Sequence, residues 1–184
     1  MHSNFLLLKQ TFLLLRSKFT TTSILVVVLA LVFCIDLREE EAISPLDSHS
    51  YFPISIDGHE LQLQLALTPT EQKKGLMFRE RLANDHGMLF LFKQPEQRSF
   101  WMRNTRIPLD LAYFDYSGRL KEIYQLFPFD ETSVMSNSSE IIIAIETNQN
   151  WFSERGIRTG ALIDLVALNA ALKRRNHADM SIKP

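Results

Sequence analysis

Residues 54–67 constrain the fold more than any other part of the chain, because apolar and polar residues alternate there on both sides of a turn. Ile54 and Ile56 precede Asp57-Gly58, and leucine then occupies positions 61, 63, 65 and 67. Alternation with a period of two places one set of side chains on a single face of a strand. Asp-Gly is a favoured dipeptide of two-residue hairpin turns. The sequence therefore predicts a β-hairpin with one buried face.

Strand-length apolar runs continue after this hairpin, separated by turn residues. Strands are predicted over residues 88–92, 98–102, 109–114, 120–126, 141–146 and 161–168, and those at 109–114 and 120–126 form a second hairpin around Gly118. Thr68-Pro69 predicts a short helix that ends at Gly75, with Thr68 as its cap and Glu71 reaching back to it. Asn150 predicts a second helix that ends at Gly156. Seven or eight short strands with two short helices indicate a compact, mainly β fold. We expect a jelly-roll-like sandwich or a small barrel rather than alternating βα units.

Composition excludes several classes of function. The 184 residues are 46% hydrophobic, which is enough for one buried core. A formal charge of −1 gives no electrostatic basis for binding nucleic acid. The single cysteine, Cys34, excludes an internal disulfide framework and a multi-cysteine metal site.

The N-terminal region has the pattern of an export segment. Basic residues at 9, 16 and 18 precede an apolar stretch from Phe19 to Ile35, close to the minimum of about 17 residues for a membrane-spanning helix. An uncleaved anchor, a cleaved secretory signal and a lipoprotein signal using Cys34 are the alternatives. Because acids at 39–41 follow the stretch, the N-terminus is expected in the cytoplasm and the body outside it. All three alternatives place the body in the periplasm or at the cell surface.

These patterns divide the chain into five predicted segments. They are a basic cytoplasmic segment at 1–18, a transmembrane anchor or signal sequence at 19–37, a polar linker at 38–50, a β domain at 51–168 and a frayed polar tail at 169–184.

Three segments combine glycine, aromatic and charged residues: Gly75–Arg79, Gly87–Phe92 and Phe100–Asp110. Together with Asp115, Gly118, Glu146, Trp151 and Gly156-Ile157, they resemble the family catalogued as domain of unknown function 192 over residues 60–166. The resemblance implies a compact, mainly β, jelly-roll-like domain that is often exported behind a signal or anchor in bacteria. It brings no established activity.

The segment from Phe100 to Asp110 holds the densest set of chemically versatile side chains. The forked donors of arginine suit a carboxylate or phosphate, indole stacks on a ring or sugar face, and a carboxamide orients a polar group. We therefore expect a site for a small polar or anionic ligand, such as a cell-envelope fragment, at Arg79, Trp101, Arg103, Asn104 and Asp110.

A purely structural role for the same residues is the alternative. Trp101 and Phe100 would then be core aromatics, Arg79 would pair with Asp85 or Asp110, and the Asn104 side chain would bond to the backbone of a turn. The sequence does not separate these two interpretations.

Three further functions are open from the sequence. The first is an interaction module that recognises another envelope protein. The second is a Cu(I) site from Met77, Met88, Met102 and His86, although methionine usually fills gaps in cores. The third is a carbohydrate-active hydrolase using Asp110 with Asp85 or Glu146, although surface ion pairing is the commoner role of such carboxylates. No nucleophile motif or zinc helix is present, so no catalytic residue, metal or cofactor is predicted.

Overall fold

A six-stranded sheet forms the centre of residues 46–183, the part of the chain that the structure, a computed structural model, describes. The strands are β1 (Phe52–Ile56), β2 (His59–Ala66), β3 (His86–Glu96), β4 (Ser99–Phe100), β5 (Leu109–Asp115), β6 (Leu120–Leu126), β7 (Val134–Met135) and β8 (Ile141–Asn148). The α-helices are α1 (Pro69–Lys74), α2 (Trp151–Glu154) and α3 (Leu165–Arg174), and a 3-10 turn covers Ala178–Met180. The prediction of a mainly β fold with short helices is confirmed, and the architecture is compatible with the barrel or sandwich kind.

The order of strands in the main sheet is β1-β2-β3-β8-β5-β6, and β4 pairs separately with β7. Neighbouring strands are antiparallel except β2 and β3, which are parallel and joined through α1. Parallel neighbours require such a crossover, because a tight turn can only reverse the chain. The fold therefore contains one βαβ unit, formed by β2, α1 and β3, whereas the sequence predicted none.

Both predicted hairpins are present. At the first turn, Asp57 (φ 50°) and Gly58 (φ 80°) adopt the left-handed backbone conformation that a two-residue hairpin turn requires. Ile56 pairs with His59 across this turn. The predicted hairpin around Gly118 is the pair β5 and β6.

The sheet is buried on both faces. One face packs against α2, α3 and the segment between them, forming the larger core cluster. The other face packs against Leu76, after α1, and against Met102 and Ile107 in the segment before β5. β5 and β8 are buried along almost their whole length, as continuous apolar strands between two covering layers must be.

Residues 160–164 join the two edge strands of the sheet at one end. The Asp164 N–H donates to the Ser55 carbonyl of β1 (2.8 Å), and the Ile163 N–H donates to the Gly118 carbonyl just before β6 (3.0 Å). Bridges Ile56–Ile163 and Arg119–Leu162 accompany these bonds. Paired edges do not present free backbone groups to other chains.

The predicted strand at 161–168 and the predicted frayed tail at 169–184 are wrong. Residues 165–174 form α3, whose first turn is capped by the Asp164 carboxylate bonded to the Ala167 N–H (2.9 Å). Leu168 and Leu172, four positions apart, are both fully buried, and so is Ile182 beyond the helix. This helical spacing of apolar residues, rather than alternation, decides the structure of the segment.

The structure describes the chain from residue 46, after the predicted segments at 1–18 and 19–37 and most of the predicted linker at 38–50. These predictions lie outside the described residues. Within residues 46–183, no helix has the length and apolar character needed to cross a membrane.

Gly87 in β3 supplies a test of the packing between the central strands. A Cβ atom there would lie 2.4 Å from the Glu146 carbonyl oxygen and 2.9 Å from a Leu63 methyl. We expect Gly87→Ala to lower the free energy of unfolding by about 3 kcal/mol, measured by urea denaturation. Gly156→Ala is the control, because it meets no atom within 4 Å and strains only a left-handed backbone, at about 1 kcal/mol. Equal losses would contradict the close approach of β3 and β8.

Candidate functional site

A pocket of about 290 Å³ opens between α1 and the segment that carries β4, over the second face of the sheet. Its lining residues come from four places in the sequence. They are Gln72, Lys73, Lys74, Gly75, Leu76 and Met77 near α1; Phe90 and Phe92 of β3; Gln97, Arg98, Ser99, Phe100, Trp101 and Thr105 in the segment that carries β4; and Glu146 of β8.

The walls of this pocket are aromatic. Phe90 and Phe100 pack edge to face with their ring centroids 4.9 Å apart. The Arg98 guanidinium lies over the Phe92 ring, 3.8 Å from its centroid. Trp101 is 46% exposed and lines the pocket. The indole therefore has one surface available to a molecule that enters.

Glu146 is a buried carboxyl group in the lining of the pocket. It lies on β8 between Met88 of β3 and Leu111 of β5, and is 5% exposed. Its Oε2 atom is buried and has no hydrogen-bond partner among residues 46–183. Burial raises the pKa of Glu146 to about 8, and the positive charge of Arg79 opposes this rise only in part. The group is therefore mostly neutral at pH 7 and has a proton to donate.

Arg98 contributes a second buried polar atom. Its Nε atom has no partner within the described part of the chain, while its terminal nitrogens bond to Glu96 and to the Gln94 carbonyl. Burial lowers the pKa of Arg98, and the Glu96 carboxylate acts against that change. Since buried donors in proteins are almost always bonded, this N–H is available to a ligand.

The wall formed by α1 is held in place from both ends of the domain. Thr68 and Glu71 form a reciprocal capping box at its N-terminus, as the sequence predicts. Arg175, beyond α3, donates to the Glu71 carboxylate (2.7 Å) and to the Leu65 carbonyl (2.9 Å). Burial raises the pKa of Glu71, but its backbone N–H bonds and Arg175 outweigh this and hold the pKa below its ordinary value.

Trp101 is the one predicted site residue that lines this pocket. Arg103 stacks on its ring at 4.7 Å, so the two share a side as predicted, but the arginine pairs with Glu131 (2.7 Å) in solvent. Asn104 lies in a left-handed conformation (φ 56°), and its carbonyl accepts the Phe78 N–H (2.9 Å). These side chains belong to the loop beside the pocket.

Arg79 lies in a small neighbouring cavity of about 40 Å³. It donates to the Gln64 side chain and to the Tyr51 hydroxyl (3.2 Å), not to Asp85 or Asp110. Because Lys74 and Gly75 line both spaces, the cavity adjoins the pocket. The contribution of Arg79 to the pocket is its electrostatic effect on Glu146.

Asp110 is on the other face of the sheet. Its carboxylate is 2% exposed and is stabilised by the backbone N–H groups of Asn150, Trp151 and Phe152 at the start of α2. Burial raises the pKa of Asp110, and these N–H groups reverse part of that rise. Asp110 therefore faces the start of α2 and does not join a site with Trp101.

The three carboxyl groups considered for sugar chemistry do not converge. Asp110 pairs with Thr147 across β5 and β8, so it faces away from Glu146, the preceding residue on β8. Asp85 accepts the Trp151 indole N–H (2.9 Å) and pairs with Arg155. This geometry provides no acid and base on one side of a bound sugar.

The methionines support the packing interpretation. Met88 and Met102 belong to the apolar cluster on the second sheet face. The His86 ring packs against Tyr51, with centroids 4.7 Å apart. Among residues 46–183, no three His, Cys, Asp or Glu side chains are grouped as metal ligands.

Sequence reasoning missed the residues that define the pocket. Glu146 was considered only as a catalytic acid, and the roles of Arg98, Phe90 and Phe92 were not foreseen. One signal was available, because Glu146 ends the otherwise apolar run of residues 141–145. A charged residue on a strand that is buried on both faces indicates a functional position.

The fold and pocket define a class: a mainly β domain with an aromatic-walled pocket and a buried acid. A family model described as DUF192, an uncharacterised ACR, matches residues 52–165, more than half of the chain. The chain belongs to this family. No curated protein matches it significantly.

Two solved structures are similar to the chain. A protein of unknown function from Novosphingobium aromaticivorans DSM 12444 is 31% identical, with a TM-score of 0.60, and the match covers 68% of this chain and 97% of that one. A protein from Sinorhizobium meliloti 1021, described as a proposed transcription regulator, is 28% identical, with a TM-score of 0.60. That match covers 65% of this chain and 96% of the other.

The buried Glu146 predicts how stability depends on pH. Below the ordinary value of 4.5, both the folded and the unfolded chain hold the proton, so the group contributes no pH dependence. Between that value and about 8, only the folded state keeps it, so the free energy of unfolding falls as pH rises. We expect urea unfolding to show this loss in the wild type and a flatter profile in Glu146→Gln.

The control for this titration is Glu140→Gln, since Glu140 is exposed and its nearest cation, Lys121, is 3.9 Å away. Its profile should follow the wild type. Parallel profiles for wild type and Glu146→Gln would show that Glu146 has an ordinary pKa in the folded protein.

Proposed function

We propose that the chain is a membrane-tethered, extracytoplasmic domain that binds a small polar or anionic ligand of the cell envelope in the pocket at Trp101 and Glu146. The observation that carries the proposal is the buried carboxyl group of Glu146, a residue that lines an open pocket and whose Oε2 atom has no partner within residues 46–183. A buried polar group of this kind costs free energy unless something satisfies it. A ligand with a hydrogen-bonding group does so.

The size and walls of the pocket fit a small molecule. Its volume of about 290 Å³ is at the low end of the range of about 300–1,000 Å³ for small-molecule sites. Phe90, Phe100 and Trp101 provide apolar surface for the body of a ligand, while Glu146 and Arg98 provide polar contacts. Apolar walls with few placed polar groups are typical of binding sites.

The charge of the pocket favours a polar ligand of negative or neutral charge. Lys73, Lys74 and Arg98 line it, and Arg79 acts on it from the adjoining cavity. Glu146 and Glu96, the partner of Arg98, supply the nearby acidic groups. The balance is positive even when Glu146 is ionised, and more so when it is neutral.

The location rests on the sequence. The apolar stretch within 19–37 follows basic residues and precedes a cluster of acids, which is the charge pattern of an anchor with its C-terminal side exported. We propose that it, whether retained as a transmembrane helix or cleaved as a signal, delivers the domain to the periplasm or cell surface.

An envelope protein-interaction module is the second candidate, favoured by exposed aromatic residues next to the pocket. Phe78 and Phe129 are 70% and 60% exposed. Their N–H groups bond to the carbonyls of Asn104 (2.9 Å) and Thr105 (3.0 Å), so they flank the same short segment. Exposed aromatic side chains of this kind are enriched at protein interfaces.

Trp101→Ala tests the ligand-binding proposal. We expect a matching envelope sugar, peptide, phosphate or carboxylate to raise the midpoint temperature of unfolding of the full-length protein. At a ligand concentration of 100 times the dissociation constant, the free energy of unfolding rises by about 2.7 kcal/mol. The variant should lose this shift while unfolding cooperatively, because half-exposed Trp101 contributes more to the pocket than to the core.

Phe127→Ala is the matched control, since Phe127 is an exposed aromatic residue that does not line the pocket. It should keep the ligand-induced shift. If no compound shifts wild-type unfolding, or if Trp101→Ala keeps the shift in full, the ligand-binding proposal is wrong and the exposed phenylalanines become the candidate functional surface.

A further inference from the structure

The chemistry of the pocket specifies the ligand more closely than as a small polar molecule. Glu146 Oε2 and Arg98 Nε are the two buried side-chain atoms that the described residues leave without a hydrogen bond, and both residues line this one pocket. Arginine Nε–H is a donor in every state. A protonated carboxyl group is a donor through its O–H. A ligand that satisfies both groups must therefore present acceptors to two donors.

A cationic ligand is disfavoured, although aromatic walls above an acid are a common way to bind amines. Lys73 and Lys74 line this pocket, and Arg98 is in contact with the Phe92 ring. An ammonium group placed among them would meet three positive charges and two donor groups whose hydrogens it cannot accept.

A phosphate is also a poor match. A dianion needs donors around a full set of oxygens, whereas Phe92, Phe100 and Trp101 contribute apolar surface beside the polar groups here. A carboxylate concentrates its acceptors at one end and leaves the rest of the molecule apolar. A flat body then fits against Phe90, Phe100 and Trp101, since aromatic faces prefer stacked or edge contacts.

We propose that the ligand is a small carboxylate with a flat, apolar or aromatic body, whose carboxylate oxygens accept hydrogen bonds from Glu146 and from Arg98 Nε. The inference rests on the proposed ligand-binding function. An O–H···O⁻ bond between a neutral and an ionised carboxyl group is among the stronger hydrogen bonds in proteins. It forms only while Glu146 holds its proton. Lys73 and Lys74 add attraction for the anion at the side of the pocket that α1 forms.

Calorimetric titration of the full-length protein with benzoate tests this assignment. Benzamide keeps the ring without a negative charge, and benzylamine keeps the ring with a positive charge. Inorganic phosphate is an anion without a ring. We expect benzoate to bind at least about tenfold more tightly than each of the others, the ratio that one charge-assisted hydrogen bond supplies. Binding of benzoate should weaken as pH rises past about 8, where Glu146 ionises.

Variants at Glu146 distinguish a role as hydrogen-bond donor to the ligand from a role in packing alone. Glu146→Gln retains an N–H donor of similar shape, so it should bind benzoate at neutral pH and lose the pH dependence. Glu146→Ala should weaken benzoate binding at least about tenfold. Glu140→Gln, an exposed glutamate with its nearest cation 3.9 Å away, should behave as the wild type.

The outcomes distinguish this inference from the function on which it rests. Binding of benzylamine or phosphate that is lost in Trp101→Ala, without binding of benzoate, overturns the carboxylate class and keeps the pocket as a ligand site. Binding of benzoate that is unchanged in Glu146→Ala overturns the role of Glu146. If none of the four probes binds, the carboxylate assignment is wrong. The thermal unfolding test with the broader panel of envelope compounds then shows whether the pocket binds a ligand of another class.

Discussion

Burial of the central sheet on both faces is the constraint on which the rest of the domain depends. β5 and β8 run between two covering layers, so their residues are almost entirely apolar. A polar side chain on these strands must be satisfied inside the protein, because water does not reach it. The buried polar residues on these strands are Asp110, Glu146 and Thr147. Each of them therefore needs a hydrogen-bond or charge partner that does not come from bulk water.

Asp110 and Glu146 show two outcomes of this constraint on neighbouring strands. The carboxylate of Asp110 meets the N-terminus of α2, where three backbone N–H groups stabilise its charge. Glu146, one residue from the strand partner of Asp110 and on the opposite face, meets an open pocket instead. Burial therefore leaves Asp110 in a structural role and leaves Glu146 with a proton and an unsatisfied oxygen within the described chain.

The elements that surround the pocket are positioned by contacts distant in sequence. α1 is anchored on β3 through Gln72, whose amide donates to the Leu91 carbonyl (2.8 Å). The Arg175–Glu71 pair ties the same helix to the C-terminal segment. Tyr113 fixes the β4 and β7 side, because its single O–H is shared between the carbonyls of Arg98 (3.2 Å) and Val134 (3.0 Å). The shape of the pocket thus depends on segments more than 100 residues apart.

Local patterns in the sequence predicted the local structure well. The Asp57-Gly58 turn and the Thr68 capping box are decided by neighbouring residues, and both are present as predicted. The parallel pairing of β2 and β3, and the burial of Arg175 against Glu71, depend on which strands and helices meet, and no nearby residue encodes that.

The same distinction explains the site. The chemical density of its segment identifies Trp101, and Arg103 stacks on it as expected. The alternation of a strand is not the cause, because β4 ends at Phe100 and both residues lie in the loop that follows. Arg79, Asn104 and Asp110 were grouped with Trp101 by chemical type, yet they lie in a neighbouring cavity, a loop and the opposite sheet face. Only the strand register shows that Glu146 faces the pocket while Asp110 does not.

The measurement that tests this account most directly is a carbon-13 NMR titration of the Glu146 side-chain carboxyl carbon, assigned by its loss in Glu146→Gln. A carboxyl group buried in the pocket remains protonated through neutral pH and titrates near pH 8. Addition of a ligand that enters the pocket then shifts its resonance. A titration midpoint at the ordinary glutamate value of 4.5 would contradict the account, because Glu146 would then be solvated or paired and the pocket would have no acid to offer.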